Sequence, residues 1–263
     1  MLKNVDGDAW KPSLPGTLPE FWHIDACLSD FAHHADWPLL DAWSTAAKSV
    51  TNFLGTQVKF VTHAPRKRGG AWTLDSMYDA HIFLRGEIPS RERNWHDFFN
   101  MAIWRTFPQA KAAINKAQWE ALNRWLPGSS GAKLPGARLR EQDTLALLDE
   151  GGVLVIVTRA PEDQTSLTDE DARVAIEQGR ATVILFGHAL LEHVVTGHGE
   201  VRGASVVLSA PSWPREQRAF LRAVDAELAT CVATGASVRR GERGLSLSLA
   251  HRFGFSPALH SQM

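Results

Sequence analysis

The sequence predicts an α+β fold, a helix-rich single domain with a small mixed sheet. Two observations lead there. Long segments place apolar residues at helical spacing between capping residues, while shorter runs of Val, Ile and Leu read as strands. The two kinds do not follow the strict βαβ alternation of a doubly wound sheet. The organisation expected is an irregular arm over residues 1–20, one globular domain over 21–235, and a tail over 236–263 whose structure stays open.

Taken in order, residues 1–20 are rich in Gly and Pro. Residues 21–34 and 39–55 suggest two short helices, separated where Trp37 precedes Pro38. His33 and His34 are adjacent, so on a helix they diverge by about 100° and read as surface residues rather than joint metal ligands. VKFVTH (58–63) reads as a strand, followed by the basic turn APRKRGG. Residues 73–89 predict a helix closed by Gly86, with Pro89 barring continuation.

The stretch 91–108, RERNWHDFFNMAIWRTFP, predicts the central helix. Asn94 is its natural N-cap, and Asp97 stands where a capping-box acid would stand. His96, Asn100, Ile103 and Phe107 share a face at about 100° per residue. Two polar groups on that apolar stripe need partners, or each costs roughly 1–3 kcal/mol. Pro108 can open a second helix, ended by Pro127 and Gly128.

Further on, 128–137 reads as a loop, 138–152 as a helix with a glycine stop, and VLVIVTR (153–159) as a buried strand. Thr168, the acids after it and Gly179 bound another helix. ATVILFG reads as a strand and HALLEHVV as the helix leaving it. SVVLSA (205–210) is a last strand and 214–235 a long amphipathic helix.

Bulk properties narrow the function classes. A chain of 263 residues with 44% hydrophobic and 22% charged content is ordinary for a soluble protein. No run reaches the roughly 18–20 apolar residues of a membrane helix, and the N-terminus has no signal-peptide core. Cys27 and Cys231 lack metal-like spacing; two reduced thiols in a cytoplasmic protein are expected. Ten tryptophans against one tyrosine read first as packing. Residues 85–140 hold ten Lys/Arg against four Asp/Glu, and 141–177 hold two against ten. These blocks read as complementary faces of one domain, and neutral overall charge argues against a nucleic-acid partner. There is no P-loop, dinucleotide fingerprint, nucleophile elbow or H-E-x-x-H motif.

Three segments, IPSRERNWHDFFNMAIWRTFPQAKAAIN, RLREQDTLALLDEGGVLV and FGHALLEH, carry a resemblance to a bacterial family known as domain of unknown function 3025. The resemblance implies no catalytic residues.

The candidate site comes from the residues themselves. In FGHALLEH a strand enters a helix through glycine, a common place for sites. His188 and Glu192, four apart, can chelate one divalent cation or act as base and orienting acid. His96 would complete the set: His96, His188 and Glu192 supply the three protein ligands of an open metal site, with water in the remaining position. Asn100 would be a polar positioner. Arg91 and Lys111, flanking the central helix, could clamp a carboxylate or phosphate, with Arg140 a further anion contact. Asp149 and Glu150 before Gly151 and Gly152 most simply end a helix; in the sharper reading one of them is a further ligand or general base. The expected activity is a hydrolase-type reaction on a small anionic substrate, with no membrane partner. The competing expectation is a non-catalytic binding protein in which the same groups form a structural polar network. Convergence of His96 and His188 within about 6 Å, with Glu192 alongside, would favour the enzyme, and a separation beyond about 12 Å would end that reading.

Overall fold

The computed structural model of the protein describes residues 9–63, 77–125, 140–159, 168–197, 200–235 and 245–248. A 3₁₀ turn at Pro19–Phe21 leads to α1 (Asp25–Ser29) and α2 (Leu40–Ala46). Strand β1 (Lys59–Thr62) follows, then α3 (Tyr78–Arg85). Gly86 ends α3 with φ 70°, and a Cβ there would lie 2.5 Å from the Gln57 carbonyl oxygen. Only glycine meets both demands.

Beyond Gly86 the chain does not stop at Pro89 but forms β2 (Glu87–Ser90), parallel to β1. Pro89 lies opposite Val61 in a sheet of two strands, where a missing N–H on an outer edge breaks no ladder. That strand was not expected from the sequence.

Helix α4 (Trp95–Thr106) starts at Asn94, whose Oδ1 accepts from the Asp97 amide at 3.1 Å. Nine of its twelve residues are buried, so it runs through the core rather than along the surface. Trp95, Phe98 and Phe99 anchor an aromatic cluster with Trp37 and Trp43. The N-terminal arm joins this cluster: Trp10 stacks on Trp95 with ring centroids 5.2 Å apart, and its Nε1 donates to the His34 carbonyl. Packing is thus what these tryptophans do.

Helix α5 (Pro108–Trp125) opens with proline, leaving its next amides without a local cap. Asp225, on the last helix, accepts from the Gln109 amide at 3.1 Å and the Ala110 amide at 2.8 Å. Burial pushes this carboxyl up to about 6 although the amides favour its charged form.

The main sheet has four strands among the described residues. Helix α6 (Arg140–Gly151) runs directly into β3 (Gly152–Thr158). Helix α7 (Asp169–Glu177), capped by Thr168 and Asp171, precedes β4 (Ala181–Leu185). Then come α8 (His188–Val195), β5 (Glu200–Ala210), α9 (Gln217–Thr234) and β6 (Leu245–Ser248). The order in this sheet is β4-β3-β5-β6, with β3 antiparallel to β4 and parallel to β5, and β6 antiparallel to β5. β4 is buried throughout and β3 along nearly its whole length, which accounts for their unbroken apolar sequence. β5 begins earlier than expected, and β6 falls in the tail; residues 249–263 and the loop at 128–137 lie outside the described residues. The basic turn after β1 also lies outside them. Both cysteines are free thiols. Among the described residues no helix is long and apolar enough to cross a membrane.

Candidate metal centre

Two glycine-containing junctions meet at one end of the main sheet. At the first, α6 becomes β3 through Asp149, Glu150, Gly151 and Gly152. At the second, β4 becomes α8 through Phe186 and Gly187. The amides of Phe186 and Gly187 both donate to the Gly152 carbonyl, at 3.0 and 2.9 Å. A Cβ on Gly187 would stand 2.5 Å from the Glu150 carbonyl oxygen and 2.5 Å from the Gly152 nitrogen. Backbone therefore touches backbone, and His188, the next residue, is delivered against Glu150. β5 seals the junction from behind, where a Cβ on Gly203 would come 2.5 Å from the Gly151 carbonyl oxygen.

Helix α4 packs on α8 and brings His96, in its first turn, to the same point. The Nε2 atoms of His96 and His188 are 3.1 Å apart. An oxygen of Glu150 lies 3.5 Å from the first and 3.3 Å from the second. These three atoms form a near-equilateral triangle of electron-pair donors. On the other edge of the His96 ring, Nδ1 lies 3.1 Å from Glu192. A neutral ring whose Nδ1–H is held by a carboxylate presents an unprotonated Nε2.

A family model described as Protein of unknown function (DUF3025) matches residues 59–247. The chain belongs to this family. The DUF3025 match runs from β1 to β6 and includes all four of these side chains. No curated protein and no solved structure matches the chain.

Electrostatics divides the two imidazoles of this DUF3025 chain. His188 is buried, and burial, then Lys111 and His96, hold its pKa well below the ordinary value. The Asp149 carbonyl lies beside the ring and opposes that shift, but His188 Nδ1 completes no hydrogen bond among the described residues. For His96 burial again disfavours charge, yet Glu192, Glu150 and Asp97 outweigh it and raise the pKa.

The spacing argument paired Glu192 with His188 as ligands of one ion. Glu192 instead bonds the outer nitrogen of His96, and Glu150 stands where the third ligand was expected. Asn100 turns from His96 to donate to the Tyr78 hydroxyl at 3.0 Å and accept from Lys111 at 2.8 Å. Lys111 is buried and also ion-paired with Asp149, so it does not stand beside Arg91 as half of a clamp. Arg91 is itself held by Asp97, which accepts from its amide at 2.6 Å and from its guanidinium at 2.9 and 3.1 Å. Asp97 therefore reaches to Arg91 rather than closing a capping box on Asn94. Arg140 begins α6, and its side chain lies outside the described residues.

A crevice of about 210 Å³ of empty space touches Lys111 and Asp149 beside Tyr78, Trp104 and Asn115, and neither imidazole lines it. The centre is thus formed by facing side chains rather than by the crevice. Glu150 is one of the two acids the sequence offers as a further ligand, and the glycines after it select it, since close backbone approach at Gly152 and Gly187 ties the two junctions together.

Proposed function

We propose that the protein is a hydrolase-type enzyme that holds one divalent metal ion between His96, His188 and Glu150. The observation that carries this is the triangle of 3.1, 3.3 and 3.5 Å. A tetrahedral ion with bonds of about 2.0–2.1 Å keeps its ligands about 3.3–3.4 Å apart. Three lone-pair donors at that separation repel unless a proton or a cation sits among them. Two imidazoles and one carboxylate suit zinc best, and three protein ligands leave a fourth position for water. An ion held there would supply a Lewis acid that lowers the pKa of a bound water toward neutrality, which is the chemistry that hydrolysis of a carbonyl or phosphoryl centre calls for.

Glu192 orients His96 and raises its basicity, the usual part of an outer carboxylate. Arg91 is more than half exposed and close enough to Glu150 and Glu192 to feel their charge. Already anchored by Asp97, it is placed to attract a small anionic substrate. Two free thiols fit a cytoplasmic location.

Metal analysis on protein purified without chelator tests the reading. One ion per chain is expected, lost in His188→Ala and much weakened in Glu150→Gln. A metal-free protein that also takes up no added Zn²⁺ refutes it. The second reading, a non-catalytic binding protein, draws on the engagement of Asn100 and Lys111 with each other. It predicts that the same variants lose stability alone.

A further inference from the structure

We infer that Lys111 is the positioning residue of this centre: by holding Asn100 and Asp149 together it fixes the helices that present His96 and Glu150. The inference rests on the metal-centre reading and adds a residue that touches no ligand atom. Lys111 lies on α5, a helix that supplies none of the three donors, and is only 3% exposed. A buried ammonium persists only where its protons are met. One goes to Asn100 Oδ1 at 2.8 Å, another to the Asp149 carboxylate, and the ammonium lies 5.6 Å from the centre of the Trp104 ring.

The two partners give this its meaning. Asn100 follows His96 by one turn on α4, and Asp149 immediately precedes Glu150 on α6. One ammonium therefore ties the helix of the first ligand to the helix of the third. The tie extends to the second ligand, because Gly187 seats the start of α8 directly on the Glu150 and Gly152 backbone. Asp149 also offers its carbonyl to the His188 ring. Outer groups of this kind typically change metal affinity 10–100-fold when removed.

The test uses the full chain and the double variant Lys111→Met/Asp149→Asn, which leaves no buried charge without its partner. Zn²⁺ affinity is measured by chelator competition, and Co²⁺ is substituted to read the coordination geometry from its visible absorption. The expected result is a folded protein with 10–100-fold weaker Zn²⁺ binding and an altered Co²⁺ spectrum. A lower melting temperature with wild-type affinity and spectrum overturns the inference, since a purely structural ion pair gives that pattern. If the double variant does not fold, Asn100→Ala decides. It leaves the ion pair whole and is expected to weaken Zn²⁺ in the same sense; unchanged affinity there overturns the inference too. Wild-type protein that binds neither ion refutes the metal centre itself, and this inference falls with it.

Discussion

Replacing Gly187 with alanine adds one carbon at a point where two main-chain segments of the centre already touch. That carbon would lie 2.5 Å from the Glu150 carbonyl oxygen and from the Gly152 nitrogen, both of them main-chain atoms. Side-chain carbons essentially never come within 3.0 Å of such atoms, so α8 must retreat by at least about 0.5 Å. His188 rides on the first residue of that helix, 3.3 Å from Glu150 and 3.1 Å from His96. A metal site tolerates only about 0.2 Å in its bonds. Such overpacking also costs typically 1–3 kcal/mol of stability. Gly151→Ala is the matched control, because a Cβ there meets only a Leu147 methyl at 3.8 Å. Zn²⁺ titration calorimetry and thermal melts on both variants read the effect. Gly187→Ala is expected to lose at least tenfold in affinity and to melt lower, while Gly151→Ala behaves as wild type. Wild-type affinity and melting in Gly187→Ala would refute the argument that main-chain contact sets the ligand geometry.

Three further outcomes can be checked. His23 is buried with a pKa lowered to about 3, chiefly by burial and only partly offset by the nearby Leu185 carbonyl; neither ring nitrogen completes a hydrogen bond among the described residues. The unfolded chain takes up this proton near 6.5 and the folded one only near 3, so stability drains as pH falls through that window. From pH 7 to pH 4 the loss is about 3 kcal/mol, and His23→Leu should remove it in urea unfolding; an unchanged gap between variant and wild type at the two pH values counts against it. Asn94→Ala removes the α4 cap and should cost about 1 kcal/mol, read as a melting point lower by about 2–4 °C. Glu192→Gln keeps an acceptor for His96 but drops the charge, so Zn²⁺ affinity should fall about tenfold with little change in stability. Equal affinity would remove Glu192 from the centre.

Local chemistry explains what could be read in advance. Asn94, Thr168, Gly86 and Gly235 bound helices because caps and left-handed turns are written within a few residues. β3 and β4 were readable because strands buried on both faces are continuously apolar. β2 was hidden, since Pro89 reads as a stop wherever the pairing edge is unknown. In the candidate site, His96 and His188 meet across 92 positions of chain, a tertiary contact that no local pattern encodes. Helical spacing ranks Glu192 near His188, whereas the structure sets Glu192 against His96 Nδ1 and brings Glu150 to the two Nε2 atoms through backbone contact between two glycines. Lys111 reads as half of an anion clamp with Arg91; nothing around it in the chain announces the buried carboxylate and amide it bridges.

The acceptor for the first free amides of α5 has a consequence for how the protein is made. Ala110 waits for Asp225, a residue 115 positions further along. At about 5–20 residues per second, a ribosome needs on the order of ten seconds to supply it. During that interval the nascent chain carries the Trp- and Phe-rich α4 and its neighbour without their final covering. Chaperone dependence during translation, rather than any weakness of the finished molecule, is where a shortage of α9 contacts should first be felt.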